Sequence, residues 1–323
     1  MRVTQSMLSS NMLRNLNTSY GEMSKLQGQI QTGSKISKPS DDPVIAVRGM
    51  DYRTQLSKVE QYTRNTNEVN SWLDTSDAAL DQVGKALIRT KELIVQAAND
   101  TNTSEDREKI LSEIKQLRLQ LQDIGNTKVS GDYVFSGTKT NTALFKEGSK
   151  NLPLSYDPTA TPSPDSQYAD HVGLNNAINV DVFDGIQLQM NTPAKDVFFE
   201  MDDFMDKLSS LLADSTKSGK DISDALGSSV DPTISGTTIP ALDKVYESVL
   251  TKRADIGARM NRLEMMENRL DIQTINVTKQ MSNNEDVDYA KAITEMTTAE
   301  SIHQAALSTG AKIIQQTLVD FIR

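Results

Sequence analysis

Apolar residues recur on one face of the chain from Tyr52 to Ala97 in an alternating three-four register. The positions are Tyr52, Val59, Tyr62, Val69, Leu73, Leu80, Val83, Leu87, Ile94 and Ala97, with Thr66, Ser76 and Thr90 filling gaps. A seven-residue repeat held this long specifies a coiled-coil-like seam. No proline falls between Val44 and Leu152, so nothing in that stretch forces a break. At ~1.5 Å per residue, a helix from Val44 to Ala98 would be roughly 80 Å long. A helix of that length cannot pack into a sphere. The spacing predicts a mainly α, elongated rod of long antiparallel coiled-coil-like helices.

The start of this helix is legible in "KPSDDPVIAVR" (Lys38 to Arg48). Asp42 suits the N-cap and Pro43 the first helical position. The Asp41 charge suits the positive end of a helix. Two adjacent acids also raise the question of a metal site, but no third ligand stands nearby, so the stretch reads as punctuation. At the other end, "NDTNTSED" breaks the register, with Thr103 and Asp106 spaced as a capping box. A third helix then follows the first turn of that box, carrying Ile110, Ile114, Leu117, Leu121 and Ile124, with Gly125 as its stop. The short connection makes the second and third helices antiparallel neighbours.

The middle of the chain differs in kind. Pro153, Pro158, Pro162, Pro164, Pro193 and Pro232 all lie there. "GDYVFSGTKTNTALF" sets aromatic and β-branched residues among glycine turns. "AINVDVFDGIQLQM" alternates Ile178, Val180 and Val182 with Ile186, Leu188 and Met190 around an Asp184-Gly185 hairpin signal. A short helix is predicted from Phe198 to Leu212, followed by an irregular polar stretch from Lys217 to Thr238. Helix returns at Pro240, where Ile256, Met260, Leu263 and Leu270 continue a seam. "SNNEDVD" marks a break, and a last helix opens near Tyr289.

Both ends of the chain are amphipathic and weakly apolar. The N-terminal stripe is Leu8, Met12, Leu16, Tyr20, Met23 and Ile30; the C-terminal one is Leu307, Ala311, Ile314, Leu318 and Phe321. Nine of the first twenty residues are Ser, Thr or Asn. Such a helix gains little from intrinsic propensity and needs a partner surface to stay folded. The economical arrangement pairs the two terminal helices with each other, and their stripes are the candidate assembly interface. Val69, Leu73, Leu80, Val83, Leu87, Ile94, Ile256, Met260, Leu263 and Leu270 are the candidate seam of the long helices.

Composition limits the chemistry. The chain is 37 % hydrophobic and 5 % aromatic, thin for a single large core. Its net charge of −10 repels phosphate backbones, so nucleic acid is not an expected partner. With no cysteine there are no disulfides and no thiolate sites. The N-terminus has no continuous apolar core, so a cleaved secretory signal is not expected. No stretch approaches the roughly 20 apolar residues of a membrane span. The two histidines, His171 and His303, suit surface and helix-packing roles. Asp202 and Asp203 read as an exposed pair, and Trp72 as seam packing beside Leu73. There is no P-loop or nucleophile elbow. No enzyme activity, cofactor or metal is expected.

Three stretches in the flanks carry a family likeness. "TGSKISKPSDDPVIAVR", "RADIGARMNRLE" and "DVDYAKAITEMTTAESIHQAALSTGAKIIQQTL" resemble corresponding segments of the bacterial flagellin family, which includes flagellins and hook-associated proteins. "GDYVFSGTKTNTALF" resembles the hook–filament junction branch more than flagellin itself. The resemblance implies a secreted, extracellular axial component of the flagellum. It would leave the cell by type III flagellar export and self-associate in a ring at the hook tip. Its neighbours would be another hook-associated protein and flagellin, and an export chaperone would bind its C-terminal segment. The layout it implies is a terminal helical domain (1–42 with 285–323) forming an inner tube and a long-helix rod domain (43–130 with 240–284). A β-rich outward insert (131–195) and a return segment (196–239) complete it. Two other readings stay open: a minor flagellin that builds the filament, and a cytoplasmic coiled-coil scaffold.

Overall fold

The computed structural model describes residues 5–99, 103–145, 173–214 and 239–319. His171, Phe321, the proline-rich loop after Pro158 and the segment 217–238 lie outside them. Six helices are described. They are α1 (Gln5–Thr32), α2 (Pro43–Ala97), α3 (Ser104–Gly125), α4 (Lys195–Ala213), α5 (Ile239–Glu285) and α6 (Tyr289–Val319). Four short strands complete the fold: β1 (Lys128–Val129), β2 (Asp132–Tyr133), β3 (Asn179–Phe183) and β4 (Ile186–Gln189). The protein is mainly α with a small β insert. The chain divides into two compact units, one of residues 1–60 with 271–323 and one of residues 61–270.

The unit of residues 61–270 holds the continuous hydrophobic core. Val69, Leu73, Leu80, Val83, Leu87 and Ile94 of α2 are buried, as are Ile256, Leu263 and Leu270 of α5; Met260 is half-buried against them. Trp72 is buried in the same cluster. The gap-filling hydroxyls are buried too, and each is satisfied within its own helix. Thr66 Oγ1 donates to Tyr62 O at 2.7 Å, Ser76 Oγ to Trp72 O at 2.7 Å and Thr90 Oγ1 to Ala86 O at 2.8 Å. Arg253 interrupts the α5 register because it reaches across to α2, bonding Asp77 at 2.9 Å and Asp81 at 2.8 Å. The hydrogen bond to Asp77 is the main cause that raises the Arg253 pKa above its ordinary value. Lys91 meets Asp243 at 2.7 Å further along α2, so α2 and α5 run antiparallel through this unit.

Thr103 and Asp106 close a reciprocal capping box at the start of α3. Arg89 and Glu113 bond at 2.8 Å, each about equally far from the α2–α3 turn, which makes these helices antiparallel neighbours. Gly125 is the last residue of α3 rather than a left-handed cap beyond it. It is needed for space: a Cβ there would stand 2.7 Å from Phe145 and 3.3 Å from Phe198. Phe198 in turn packs on Phe135, with ring centroids 5.0 Å apart.

The strands form two separate antiparallel hairpins. β1–β2 turns at Ser130 and Gly131, both with positive φ. It therefore begins slightly before the predicted insert, because Lys128 and Val129 supply its first strand. β3–β4 turns at Asp184-Gly185, where Gly185 has φ +70°, a conformation glycine adopts without strain. A bulge between Asp181 and Phe183 breaks the alternation and lets Val182 and Phe183 both be buried. Phe183 stacks on Tyr62 at 6.3 Å and lies under the Arg269 guanidinium at 3.9 Å, which seats the hairpin on the long helices.

The reading of Asp202 and Asp203 as an exposed pair fails for Asp202. It is buried, and it accepts from Arg118 Nη2 at 2.7 Å and from Gln122 Nε2 at 2.7 Å. Only Asp203 is solvated, paired with Lys207 at 2.6 Å. Position 202 lies on the buried face with Met201, Met205 and Leu208. Its charge is tolerated there because α3 presents an arginine opposite.

Candidate assembly interface

The unit of residues 1–60 with 271–323 contains the terminal helices, and α1 packs against α6. Met12 meets Gly310, where an added Cβ would collide with the thioether. The Tyr20 and His303 rings are 6.4 Å apart, and Gly33 lies against the Tyr289 hydroxyl. Ascending positions on α1 meet descending positions on α6, so the pair is antiparallel.

The less exposed positions of each helix define the shared seam. On α1 they include Met12, Leu16, Ser19, Met23, Leu26 and Ile30; on α6 they are Ala292, Met296, Ala299, His303, Ala306 and Gly310. Both sets keep three-four spacing. The α6 set is mostly small, which lets the larger α1 side chains approach its backbone. The predicted N-terminal stripe therefore divides. Met12, Leu16, Met23 and Ile30 are spent on α6, while Tyr20 points outward. The side chain of Leu8 is outside the description. His303 sits in the seam as a packing residue, and its buried Nδ1 has no hydrogen-bond partner among the described residues.

The positions beside the seam differ on the two sides of the pair. One step after seam residues stand Leu13 and Tyr20 on α1 and Ile293 and Leu307 on α6, which are 60 %, 64 %, 49 % and 49 % exposed. In an antiparallel pair, the same step on both helices leads to the same side. Ala311, also exposed, continues that line; the side chains of Ile314 and Leu318 lie outside the description. One step before seam residues stand Asn15, Thr18, Glu22, Lys25, Gln29, Glu295 and Thr298, which with Leu26 and Ile302 line an open groove of about 690 Å³. Most of the pair's exposed large apolar side chains thus fall on the first side, the aliphatic side, although Asn17, Ser24, Glu300 and Gln304 lie among them, while the second side is mainly polar and charged around Ile302.

The loop from α1 to α2 explains the opening acids. Asp42 Oδ1 accepts from the amides of Val44 at 2.9 Å and Ile45 at 3.1 Å, the cap that Pro43 at the next position permits. Asp41 serves the loop instead of the helix end. Its carboxylate accepts from Lys38 N at 3.0 Å and from Ser37 N at 3.1 Å. Those amides, Lys38 first, hold its pKa below the usual carboxylate range. Among the described residues, no group of three or more His, Cys, Asp and Glu is placed to hold a metal ion. No described helix is long and apolar enough to cross a membrane.

Two features escaped sequence reasoning. The small-residue face of α6 carries no hydropathy signal, and Leu26 was hidden because Tyr20 fitted the four-residue step better than Ser19. The contact between Glu285 and Gly49, described below, joins residues far apart in the chain, and no local pattern announces it.

Residues 3–140 match the bacterial flagellin N-terminal helical region and residues 239–322 the bacterial flagellin C-terminal helical region. The chain is 27 % identical to flagellar hook-associated protein 3 of Escherichia coli over 320 residues, covering 95 % of each chain. It is 27 % identical to flagellin of Bacillus subtilis over 324 residues, covering 98 % of this chain and 97 % of that one. A solved structure of a flagellar hook-associated protein from Vibrio parahaemolyticus, 21 % identical, superposes on 76 % of this chain and all of its own with a TM-score of 0.61. With both helical end regions present, the same fold and similarity along nearly its whole length, the chain belongs to the bacterial flagellin family.

Proposed function

We propose that this protein is a structural axial component of the bacterial flagellum that joins a hook-associated ring to the flagellin filament. In this reading the α1/α6 pair is the assembly domain. Its aliphatic side docks against a second copy and against neighbouring axial proteins, and its mainly polar side stays wet. The long-helix domain surrounds it, the β insert faces outward, and the chain reaches its place by type III flagellar export with a chaperone on the C-terminal segment. The observation that carries the reading is the exposure of Leu13, Tyr20, Ile293 and Leu307 along one side of a helix pair that already has its own seam. Large apolar side chains left exposed along one side, with polar residues between them, mark an interaction surface.

The test replaces two residues that the chain's own fold does not use. Leu13→Asp with Leu307→Asp should leave helix content and melting of the soluble chain unchanged. Each aliphatic lost from an interface forfeits ~1.5–3 kcal/mol, so filament growth in a bacterium lacking its own copy should fail. Normal growth with this variant would show that the aliphatic side is not the docking surface. The second reading, a filament-forming flagellin, draws on the 27 % identity to Bacillus subtilis flagellin. Electron microscopy of the purified protein separates the two, since spontaneous long filaments favour flagellin.

A further inference from the structure

Four stretches of the chain meet around one carboxylate. At the end of α5, Glu285 lies over the backbone of Gly49 in the second turn of α2, and any side chain at position 49 would occupy the same space. Glu285 Oε2 accepts from Arg53 Nη2 at 2.5 Å. The Glu285 side chain is 11 % exposed and that of Arg53 63 %, so the carboxylate is seated and the guanidinium covers it from the rim. Backbone bonds tie the seat to the terminal helices. Lys35 N donates to Glu285 O at 2.6 Å and Val287 N to Gly33 O at 2.9 Å. Lys35 Nζ donates to Asn283 O at 2.7 Å and Asn284 Nδ2 to Ile45 O at 2.9 Å. Gln29 Nε2, near the end of α1, donates to Lys35 O at 2.6 Å. Gly33 has φ +73°, the left-handed turn that sends α1 into this knot.

A partly buried ion pair contributes little net stability, because desolvation offsets the Coulomb gain; its best-attested use is to fix register. An apolar contact would hold α5 to α2 as firmly but at several levels. A carboxylate that fits only over a residue without Cβ has one. We propose that Glu285, seated on Gly49, is a positioning residue: within its own unit it fixes the direction in which the α1/α6 pair leaves the adjoining turns of α2 and α5, and so where the aliphatic side points relative to those turns. This rests on the reading above that the aliphatic side docks.

The experiment compares Gly49→Ala, Glu285→Ala and the double variant in the full chain. It reads amide exchange at Lys35 and Val287 and filament growth in a bacterium lacking its own copy. Gly49→Ala should expel the carboxylate, lower protection of both amides by roughly tenfold or more and stop growth, while exchange across the 69–94 seam stays unchanged. The double variant has room for the new methyl. If Gly49 were merely a space, the double would restore growth; a positioning carboxylate leaves growth lost. Restored growth in the double, or unchanged exchange and growth in Glu285→Ala, overturns the proposal. Leu13→Asp with Leu307→Asp runs alongside and should leave both amides protected. Filament growth with that variant sinks the docking reading, whereas the amide exchange reports on the seat by itself.

Discussion

At the scale of single residues, the energetics turn on which polar groups are buried with a partner. Asp202 and Asp203 are neighbours with opposite roles. The Asp202 side chain is 2 % exposed and held by Arg118; that of Asp203 is 37 % exposed beside Lys207. The Asp202 hydrogen bond is the largest cause raising the Arg118 pKa above its ordinary value. Removing one partner of a buried pair strands the other charge, which costs about 3 kcal/mol or more. An exposed pair is worth less than about 1 kcal/mol. Asp202→Ala should therefore lower the urea midpoint markedly, with Asp203→Ala close to wild type. Similar midpoints for the two variants would mean that Asp206, the other partner of Arg118, carries the contact alone.

At the scale of elements, α2 keeps one register from the 60s to the 90s although polar residues occupy three of its core positions. Thr66, Ser76 and Thr90 each return their hydroxyl to a carbonyl one turn earlier, so no buried donor is left unpaired. Such bonds replace none of the helix's own and add little stability. Thr90→Val keeps the shape and buries a methyl group instead of a hydroxyl. It should be neutral or stabilising by up to about 1 kcal/mol in thermal unfolding. A clear loss of stability would show that the hydroxyl serves a packing partner outside its own turn.

At the scale of the whole molecule, the two units differ in how they are held. Residues 61–270 share one buried cluster of aliphatic and aromatic side chains. The α1/α6 pair meets through a seam in which alanine and glycine face half-buried methionine and leucine. A thin seam and weak helix propensity leave little margin against fraying. Limited proteolysis of the dilute, unassembled protein should thus trim about 40 residues from each end first, and incorporation into the assembly should protect them. Early cleavage confined to the centre of the chain would contradict this.

Local sequence was enough for the helices, the caps at Asp42 and Thr103 and the β3–β4 hairpin turn, whereas the β1–β2 turn at Ser130-Gly131 falls before the expected insert. Each depends on residues close in sequence: Asp42 before Pro43, Thr103 three before Asp106, Gly185 after Asp184, and an apolar side chain every three or four positions. The same locality explains what periodicity could not reach. Leu8 to Ile30 was legible as an amphipathic face, but which of its residues turn inward depended on the small residues of α6, nearly the whole chain away. Asp202 looked solvated until α3 placed Arg118 opposite it, and Glu285 was one acid among many until the α5–α6 turn laid it on Gly49. Local sequence determines where helices start, stop and carry their apolar stripes, because those are one-turn interactions. Tertiary structure alone decides which stripe is consumed inside the chain and which is left over for a partner, because that depends on the size and charge of residues on another element.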